Sequence, residues 1–503
     1  MFANIRDRAH AVSEGSDLLT ALVVGAGQAG RTLVRALRDA PSYGLRPIGF
    51  LDDDATKRSV HGLPVLGPLT SLGDVVTRTR AHVVLIAIPR LSVAQVRQLS
   101  NTATSSGASV RYLPSFLAAV QRDAYASDLR SVSLEALLGR SERDIGEQEG
   151  RSIVAGKRVL VTGAGGSIGS ELCRQIRRFN PAALYLLDHD ESNLHRLQLE
   201  LSGEALLDTE EIVLADIRDE KRIFHTFQEF APQVVFHAAA HKHLPVLERH
   251  PCEGVKTNVR GTQALLEAAQ LVATERFILI STDKAADPVS VLGATKRLAE
   301  MVVQANVLGT TSLGSVRFGN VLGSRGSFLP TLAAQLRNGG PVTVTHPDVT
   351  RFFMTIEEAV GLVLVAASMA EYGETFVLDM GDPVRIVDLV SAYAAQLGVR
   401  DYRVEFTGLR PGEKLHEALV SVQEACVATA HDRVSATRHR PLPADFGLRL
   451  ARIYRAADRN DAEATRCCLR EAIPEYEPMP ATLIPRARQV EALAARLAEP
   501  EPR

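Results

Sequence analysis

Short apolar runs separated by amphipathic stretches recur along the chain. Leu22-Val23-Val24, Pro47-Ile48-Gly49-Phe50-Leu51 and His82-Val83-Val84-Leu85-Ile86-Ala87-Ile88-Pro89 come first. Later come Val159-Leu160-Val161, Leu184-Tyr185-Leu186-Leu187, Ile212-Val213-Leu214-Ala215, Val234-Val235-Phe236-His237 and Phe277-Ile278-Leu279-Ile280. Such runs read as strands of parallel sheets covered on both faces by helices. The pattern predicts an α/β chain with two sheets, the polar stretch between Asp128 and Gly156 marking a boundary. Beyond Leu419 the signal weakens. His431 to Pro441 is polar and read as mobile, and Leu448–Tyr454 and Ala462–Ile473 carry a helical period.

Two strands run into glycine turns. The first turn is Gly25-Ala26-Gly27-Gln28-Ala29-Gly30, with helix-forming residues behind it and Asp52 at the end of the next strand. Strand, tight turn and helix in that order form the dinucleotide fingerprint, in which backbone amides face a pyrophosphate. Gly25, Gly27, Gly30 and Asp52 are therefore candidates for a second nucleotide site, against an equally weighted reading as a weakly binding or regulatory fold. The other turn, Gly163-Ala164-Gly165-Gly166-Ser167-Ile168-Gly169, fits the tighter GxxGxxG spacing. Asp188 ends the following strand, where an acid binds an adenosine ribose and repels a 2′-phosphate, favouring NAD over NADP. Asp216 and Ile217 are placed for the adenine, and Ala238-Ala239-Ala240 are small enough to let a cofactor approach the backbone.

Candidate chemistry gathers after the Phe277–Ile280 run. Ser281-Thr282-Asp283-Lys284 stands at the carboxyl end of a buried strand, where open α/β sheets hold their ligands. A helical pattern follows from near Leu292, and Lys296 lies one turn further on the same face. In isolation, Thr-Asp-Lys reads as a capped turn with a solvated lysine; its place after this strand and before Lys296 reverses that weighting.

Composition narrows the class. The 503 residues suffice for two or three domains, and a formal net charge of −2 offers no basic surface for nucleic acid. Five scattered cysteines lack metal-ligand spacing and fit a reduced compartment. No signal-peptide core follows Met1, and no apolar run reaches the ~18 residues of a membrane span. The expectation is a soluble cytoplasmic protein without metal, with peripheral attachment to the inner membrane face left open.

These blocks together resemble the long bacterial UDP-N-acetylglucosamine 4,6-dehydratases of polysaccharide biosynthesis, within the extended short-chain dehydrogenase superfamily. The resemblance is carried by Val161–Gly169, Ala238–Pro245, Ser281–Lys284, Gly293–Arg297, Arg317–Ser324, Val344–Pro347, Thr350–Met354 and Thr407–Lys414. It implies two Rossmann-like doubly wound domains. Residues 1–150 would form a nucleotide-binding domain and linker, 151–425 the catalytic domain with a smaller substrate-binding part, and 426–503 a helical extension with a mobile tail. Long members usually begin with membrane-spanning helices, which are not seen in this sequence. Where other members of the superfamily carry Tyr, and this group usually Met, the sequence has Leu292.

The resemblance further implies NAD, a UDP-sugar and a homo-oligomer. In the family reaction, C4 is oxidised, the ketone acidifies C5–H, the C6 hydroxyl leaves as water and hydride returns to C6. On that scheme Thr282 bonds O4. Asp283 is the general acid, its pKa raised by burial. Lys284 is the C5 base, its pKa lowered by desolvation or by Lys296, which also holds the nicotinamide ribose. Asn258 lies in the family's Thr-Asn-Val segment at the cofactor. Lys242, His243 and Asn320 fall near the sugar or phosphate, Arg351 and Arg410 suit the diphosphate, and Glu413 suits the uridine ribose. The acceptor of the O4 proton stays unassigned. A UDP-sugar 4-epimerase, a C5-epimerising dehydratase and a catalytically silent NAD- and nucleotide-sugar-binding sensor remain as alternatives.

Overall fold

The structure is a computed structural model. It describes residues 18–39, 45–54, 56–88, 91, 93–112, 130–131, 145–203, 209–307, 309–322, 324, 328–337, 339–396, 399, 401–437 and 441–480. The chain divides into two units, Met1–Ser141 with Val390–Tyr402, and Glu142–Leu389 with Arg403–Arg503. The first unit thus ends some residues before the expected boundary at 150. Most of the polar linker (132–144), the chain start and the tail from 481 lie outside the described residues.

In the first unit, Leu45–Leu51, Leu19–Val24, Val83–Ile86 and Ser109–Tyr112 form a parallel sheet in that spatial order, with Arg130–Ser131 added antiparallel. Alternate residues of the strand before the glycine turn enter opposite cores, Ala21 and Val23 on one face, Leu22 and Val24 on the other. That two-sided burial explains why the run reads as continuously apolar.

The second unit has a nine-stranded sheet. Its order is Ile212–Leu214, Ala183–Asp188, Arg158–Thr162, Val234–His237, Arg276–Ile280, Ser312–Arg317, Tyr372–Leu378, Val434–Thr437 and Cys426–Ala428. The first seven strands are parallel and the last two antiparallel. Strand order reverses between Arg158–Thr162 and Val234–His237, the switch point where doubly wound sheets open a ligand crevice. Along Arg276–Ile280 the side chains again alternate, Phe277 and Leu279 into one core and Ile278 and Ile280 into the other.

Helix starts are encoded locally. Asp190, Asp219 and Ser290 each accept the backbone amide three residues on, and Thr355 with Glu358 forms a capping box. Ser290 starts the Val291–Ala305 helix, which fixes Leu292 and Lys296.

The C-terminal part differs from the expected separate extension. Cys426–Ala428 and Val434–Thr437 continue the main sheet, and Phe446, Leu450, Ile453 and Leu469 enter the same core as Leu292. The polar text at 434–437 is thus an ordered strand that pairs with Thr375–Leu378 on one side and Cys426–Ala428 on the other. Among the described residues, no helix is long and apolar enough to cross a membrane.

Candidate active site

A cavity of about 790 Å³ opens at the switch point, within the ~300–1,000 Å³ usual for ligand sites. Its floor is the second glycine turn. A side chain on Gly169 would put Cβ 2.0 Å from Gly163 O, and one on Gly163, at φ +67°, would meet Ala239 N at 2.6 Å. The turn therefore presses on the Ala238-Ala239-Ala240 segment. Gly163, Gly166, Ser167, Ile168, Gly169, Asp188, Asp216, Ile217 and Ala238 to Ala240 all line the cavity, as the sequence predicts.

Asp188 ends its strand 8 % exposed. Oδ2 accepts Gly165 N at 2.9 Å, and Oδ1 accepts Asp190 N at 3.0 Å. The carboxylate thus fixes the turn as well as facing the cavity. Asp216 is held by Arg218, whose Nε donates to Oδ2 at 2.9 Å; Arg218 also lines the cavity and was not anticipated. Burial works against the Asp216 charge, but the Arg218 bonds outweigh it and hold the carboxyl below its usual range.

Asn258 departs from its expected place. It does not line the cavity; Oδ1 accepts His241 N at 2.8 Å, and Nδ2 donates to His241 O and Thr295 Oγ1, both at 3.1 Å. Its short amide is consumed in tying the segment after Ala240 to the Lys296 helix. Thr257 lines the cavity instead, its buried Oγ1 without a protein partner.

At the reactive end, Thr282, Lys284, Leu292 and Lys296 line the wall. Thr282 Oγ1 donates to Asp283 Oδ1 at 2.8 Å, and Lys284 Nζ donates to the same oxygen at 3.0 Å. Asp283 is fully buried behind them, off the cavity wall, with Oδ2 unpartnered. Lys284 also faces Glu417, whose Oε1 lies 3.5 Å from Nζ. Here the structure corrects the expected charge state of Lys284. Desolvation pushes its pKa down, but Asp283 and Glu417 together raise it, so the group rests as an ammonium. Lys296 behaves oppositely. Burial lowers it to about 8, against a weaker opposing pull from Glu300, and Nζ donates to Ile280 O at 2.5 Å. Leu292, 6 % exposed, joins the apolar core and offers no proton.

The expected substrate residues divide. Lys242, His243 and Asn320 line the cavity. Arg351, Arg410 and Glu413 do not. Arg351 donates to Glu413 Oε1 at 2.9 Å and to Thr350 O at 2.7 Å, Thr345 also donates to Glu413, and Arg410 is exposed. Opposite charges brought together by folding satisfy each other, which sequence positions alone cannot show. Gly25, Gly27, Gly30 and Asp52 belong to the first unit, where Asp52 Oδ2 accepts Ala26 N at 2.7 Å. Glu417 escaped the sequence reading: it lies four residues past Glu413, and folding alone brings it to Lys284. Among the described residues, no cluster of metal-ligating side chains occurs.

A doubly wound parallel sheet with a GxxGxxG turn, an acid ending the second strand and a Thr-Asp-Lys turn at the crevice defines an enzyme-like fold of the short-chain dehydrogenase kind. The chain belongs to the polysaccharide biosynthesis protein family, matched over residues 159–439; residues 7–114 match a CoA-binding domain. It is 44 % identical over 413 residues to the probable polysaccharide biosynthesis protein EpsC of Bacillus subtilis, covering 80 % of this chain and 69 % of that protein. Two more distant relatives carry different activities in their names. The UDP-N-acetylglucosamine 4,6-dehydratase (inverting) of Campylobacter jejuni is 32 % identical, over 54 % of this chain and 79 % of its own. A UDP-glucose 4-epimerase of Rickettsia rickettsii is 31 % identical, over 54 % and 80 %. The X-ray structure of Pen from Bacillus thuringiensis superposes with a TM-score of 0.53 at 31 % identity, covering 57 % of this chain and 91 % of that one.

Proposed function

We propose that the chain is an NAD-dependent UDP-sugar 4,6-dehydratase acting on UDP-N-acetylglucosamine. The observation behind this reading is the turn in which a hydroxyl and an ammonium meet on one oxygen of Asp283, at 2.8 and 3.0 Å. Epimerisation at C4 requires proton transfer at O4 alone. Loss of water across C5–C6 requires an acid and a base besides, and this turn supplies both.

The cavity fits NAD. The glycine turn leaves no room for side chains, Asp188 suits a ribose diol, and the unpartnered Thr257 hydroxyl offers a bond. Bound there, the nicotinamide would accept hydride from C4 and return it to C6. Lys296, tethered to Ile280 O, would hold the nicotinamide ribose.

Thr282 takes the O4 proton and passes its own to Asp283 Oδ1, so the acceptor that the sequence left unassigned is Asp283 acting through Thr282. The loaded carboxyl, itself off the cavity wall, then returns the proton through Thr282 Oγ1 to the departing C6 hydroxyl. Lys284 removes the C5 proton and later restores it. Exposed Arg410 is the choice for the diphosphate, whereas Arg351 and Glu413 shape the loop that carries it.

The test is incubation with UDP-N-acetylglucosamine in deuterated water, followed by mass spectrometry and NMR. Loss of water with deuterium at C5 is expected. The epimerase-named relative motivates the second reading; C4 inversion without water loss or C5 label would establish it. Retained dinucleotide without turnover would indicate a binding protein.

A further inference from the structure

Lys284 cannot begin catalysis as a base while it carries its proton. It sits between two buried carboxylates: Asp283 Oδ1 at 3.0 Å from Nζ, and Glu417 Oε1 at 3.5 Å. Arg351 and Lys414 add positive charge nearby; Arg351 Nε is 4.0 Å from Glu417 Oε1, and Lys414 donates to Ala286 O. Glu417 has a side chain only 2 % exposed, and its second oxygen, Oε2, is buried without a hydrogen-bond partner. An unsatisfied buried carboxylate oxygen costs free energy that a purely structural ion pair would avoid. An oxygen that takes up a proton during the cycle gains a reason to be there.

We infer that Glu417 is a positioning residue for the dehydration step: it takes the resting proton of Lys284 and so turns that ammonium into the amine that removes the C5 proton. The inference rests on the dehydratase reading and deepens it. Asp283 cannot serve this purpose, because it receives the O4 proton through Thr282.

The steps balance. With C4 oxidised, an N–H bond of Lys284 breaks and an O–H bond forms on Glu417. The neutral amine takes the C5 proton. The C5–H electron pair becomes the C5–C6 double bond, and the C6–O bond breaks, its hydroxyl leaving as water with the proton from Asp283. Hydride returned to C6 moves the pair back toward C5, which takes a proton from the Lys284 ammonium. Glu417 then returns its proton to the amine, restoring the resting state. The 3.5 Å separation is longer than a transfer distance, and contacts of this kind tighten when substrate closes the site.

Electrostatics alone predicts the opposite outcome for a variant. Removing the Glu417 charge takes away one of the groups that hold the proton on Lys284. A merely charge-holding Glu417 would leave Lys284 easier to deprotonate in Glu417→Gln, and C5 exchange would be equal or faster. A proton-taking Glu417 leaves Lys284 without its acceptor, and C5 exchange slows.

The experiment compares wild type and Glu417→Gln as full chains loaded with NAD, using UDP-N-acetylglucosamine in deuterated water. Reduced-nicotinamide absorbance follows C4 oxidation, and NMR follows deuterium at C5. The expected result is C4 oxidation within a few-fold of wild type, with C5 exchange down by about 10²-fold or more. Its rate should recover as pH rises and solvent hydroxide replaces Glu417. Unchanged or faster C5 exchange overturns the inference. If Glu417→Gln does not fold, Glu417→Asp, whose carboxylate is drawn back by one methylene, should slow C5 exchange by about ten-fold; no slowing overturns it equally. A wild type that shows no C5 exchange at all refutes the dehydratase reading itself, a result distinct from either.

Discussion

Replacing Lys296 by Met should stabilise the folded protein at neutral pH while abolishing turnover. Lys296 is 6 % exposed, lies on the Val291–Ala305 helix, and is pushed from 10.5 down to about 8 by burial. At about 1.4 kcal/mol per pH unit, that difference represents roughly 3 kcal/mol of penalty for carrying the charge in the folded state. Below about pH 8 both folded and unfolded chains are protonated, and the full penalty applies. Between about 8 and 10.5 the folded chain has lost the proton that the unfolded chain still holds, so stability rises with pH. Above 10.5 both are neutral and the penalty is gone. Met fills similar volume without charge but forfeits the bond to Ile280 O, worth about 1 kcal/mol. The net gain at about pH 7 is therefore about 2 kcal/mol. Urea unfolding of wild type and variant, at about pH 7 and above pH 10.5, measures it. The variant should lead at neutral pH, and the gap should close or reverse in alkali. A variant less stable at neutral pH, or a gap that ignores pH, would refute the reasoning.

Other substitutions probe the remaining parts. Asp283→Asn keeps the shape but cannot ferry the O4 proton, so turnover should fall by about 10²–10⁴-fold with nucleotide retention little changed; near-normal turnover would place the acid elsewhere. Arg317, fully buried, pairs with Glu300 at 2.6 Å and Glu424 at 2.7 Å. Arg317→Met leaves the Glu300 charge with Arg297 at 3.3 Å as its cationic partner, beside the Ser281 hydroxyl, and should cost roughly 3–5 kcal/mol, read as a fall in urea midpoint. Gly169→Ala would drive Cβ to 2.0 Å from Gly163 O, so the turn must open. The purified variant should release little or no dinucleotide on denaturation; a wild-type yield would show that the turn tolerates the change.

Most of the scaffold could be read because parallel strands covered on both faces leave uninterrupted apolar runs. The glycine turn could be read because close backbone approach admits no substitute at Gly163 and Gly169. What escaped depends on partners distant in sequence. The strand Val434–Thr437 is mostly polar or small and becomes a strand through its partners Thr375–Leu378 and Cys426–Ala428. Burial of Lys284 was foreseeable, and burial alone argues for a lowered pKa. Its ammonium is retained because Asp283 beside it and Glu417, arriving from the loop that also carries Glu413, together hold the proton. Asn258 has the residue type of a ligand contact, yet both ends of its amide are spent on His241 and Thr295. A residue's chemistry can be seen in the sequence; its unspent hydrogen-bonding capacity cannot.

The two units show why a shared fold does not distribute chemistry evenly. Each has a glycine turn braced by the acid that ends the next strand, Asp52 on Ala26 N at 2.7 Å and Asp188 on Gly165 N at 2.9 Å. In the second unit the turn abuts backbone at Ala239, and a further strand delivers Thr282 and Lys284 to the same crevice, with Asp283 buried behind them. In the first, a Cβ on Gly25 would meet Ile88 Cγ1 at 2.5 Å, so an apolar side chain leans over the turn. Asp52 is further committed to Asp54 N and to Lys57, both through Oδ1. The brace at the glycine turn orders backbone amides, which suits holding an anion. Moving protons needs titratable groups left open to a ligand, and the strand ending at Ile280 is where the sequence changes abruptly from apolar to reactive.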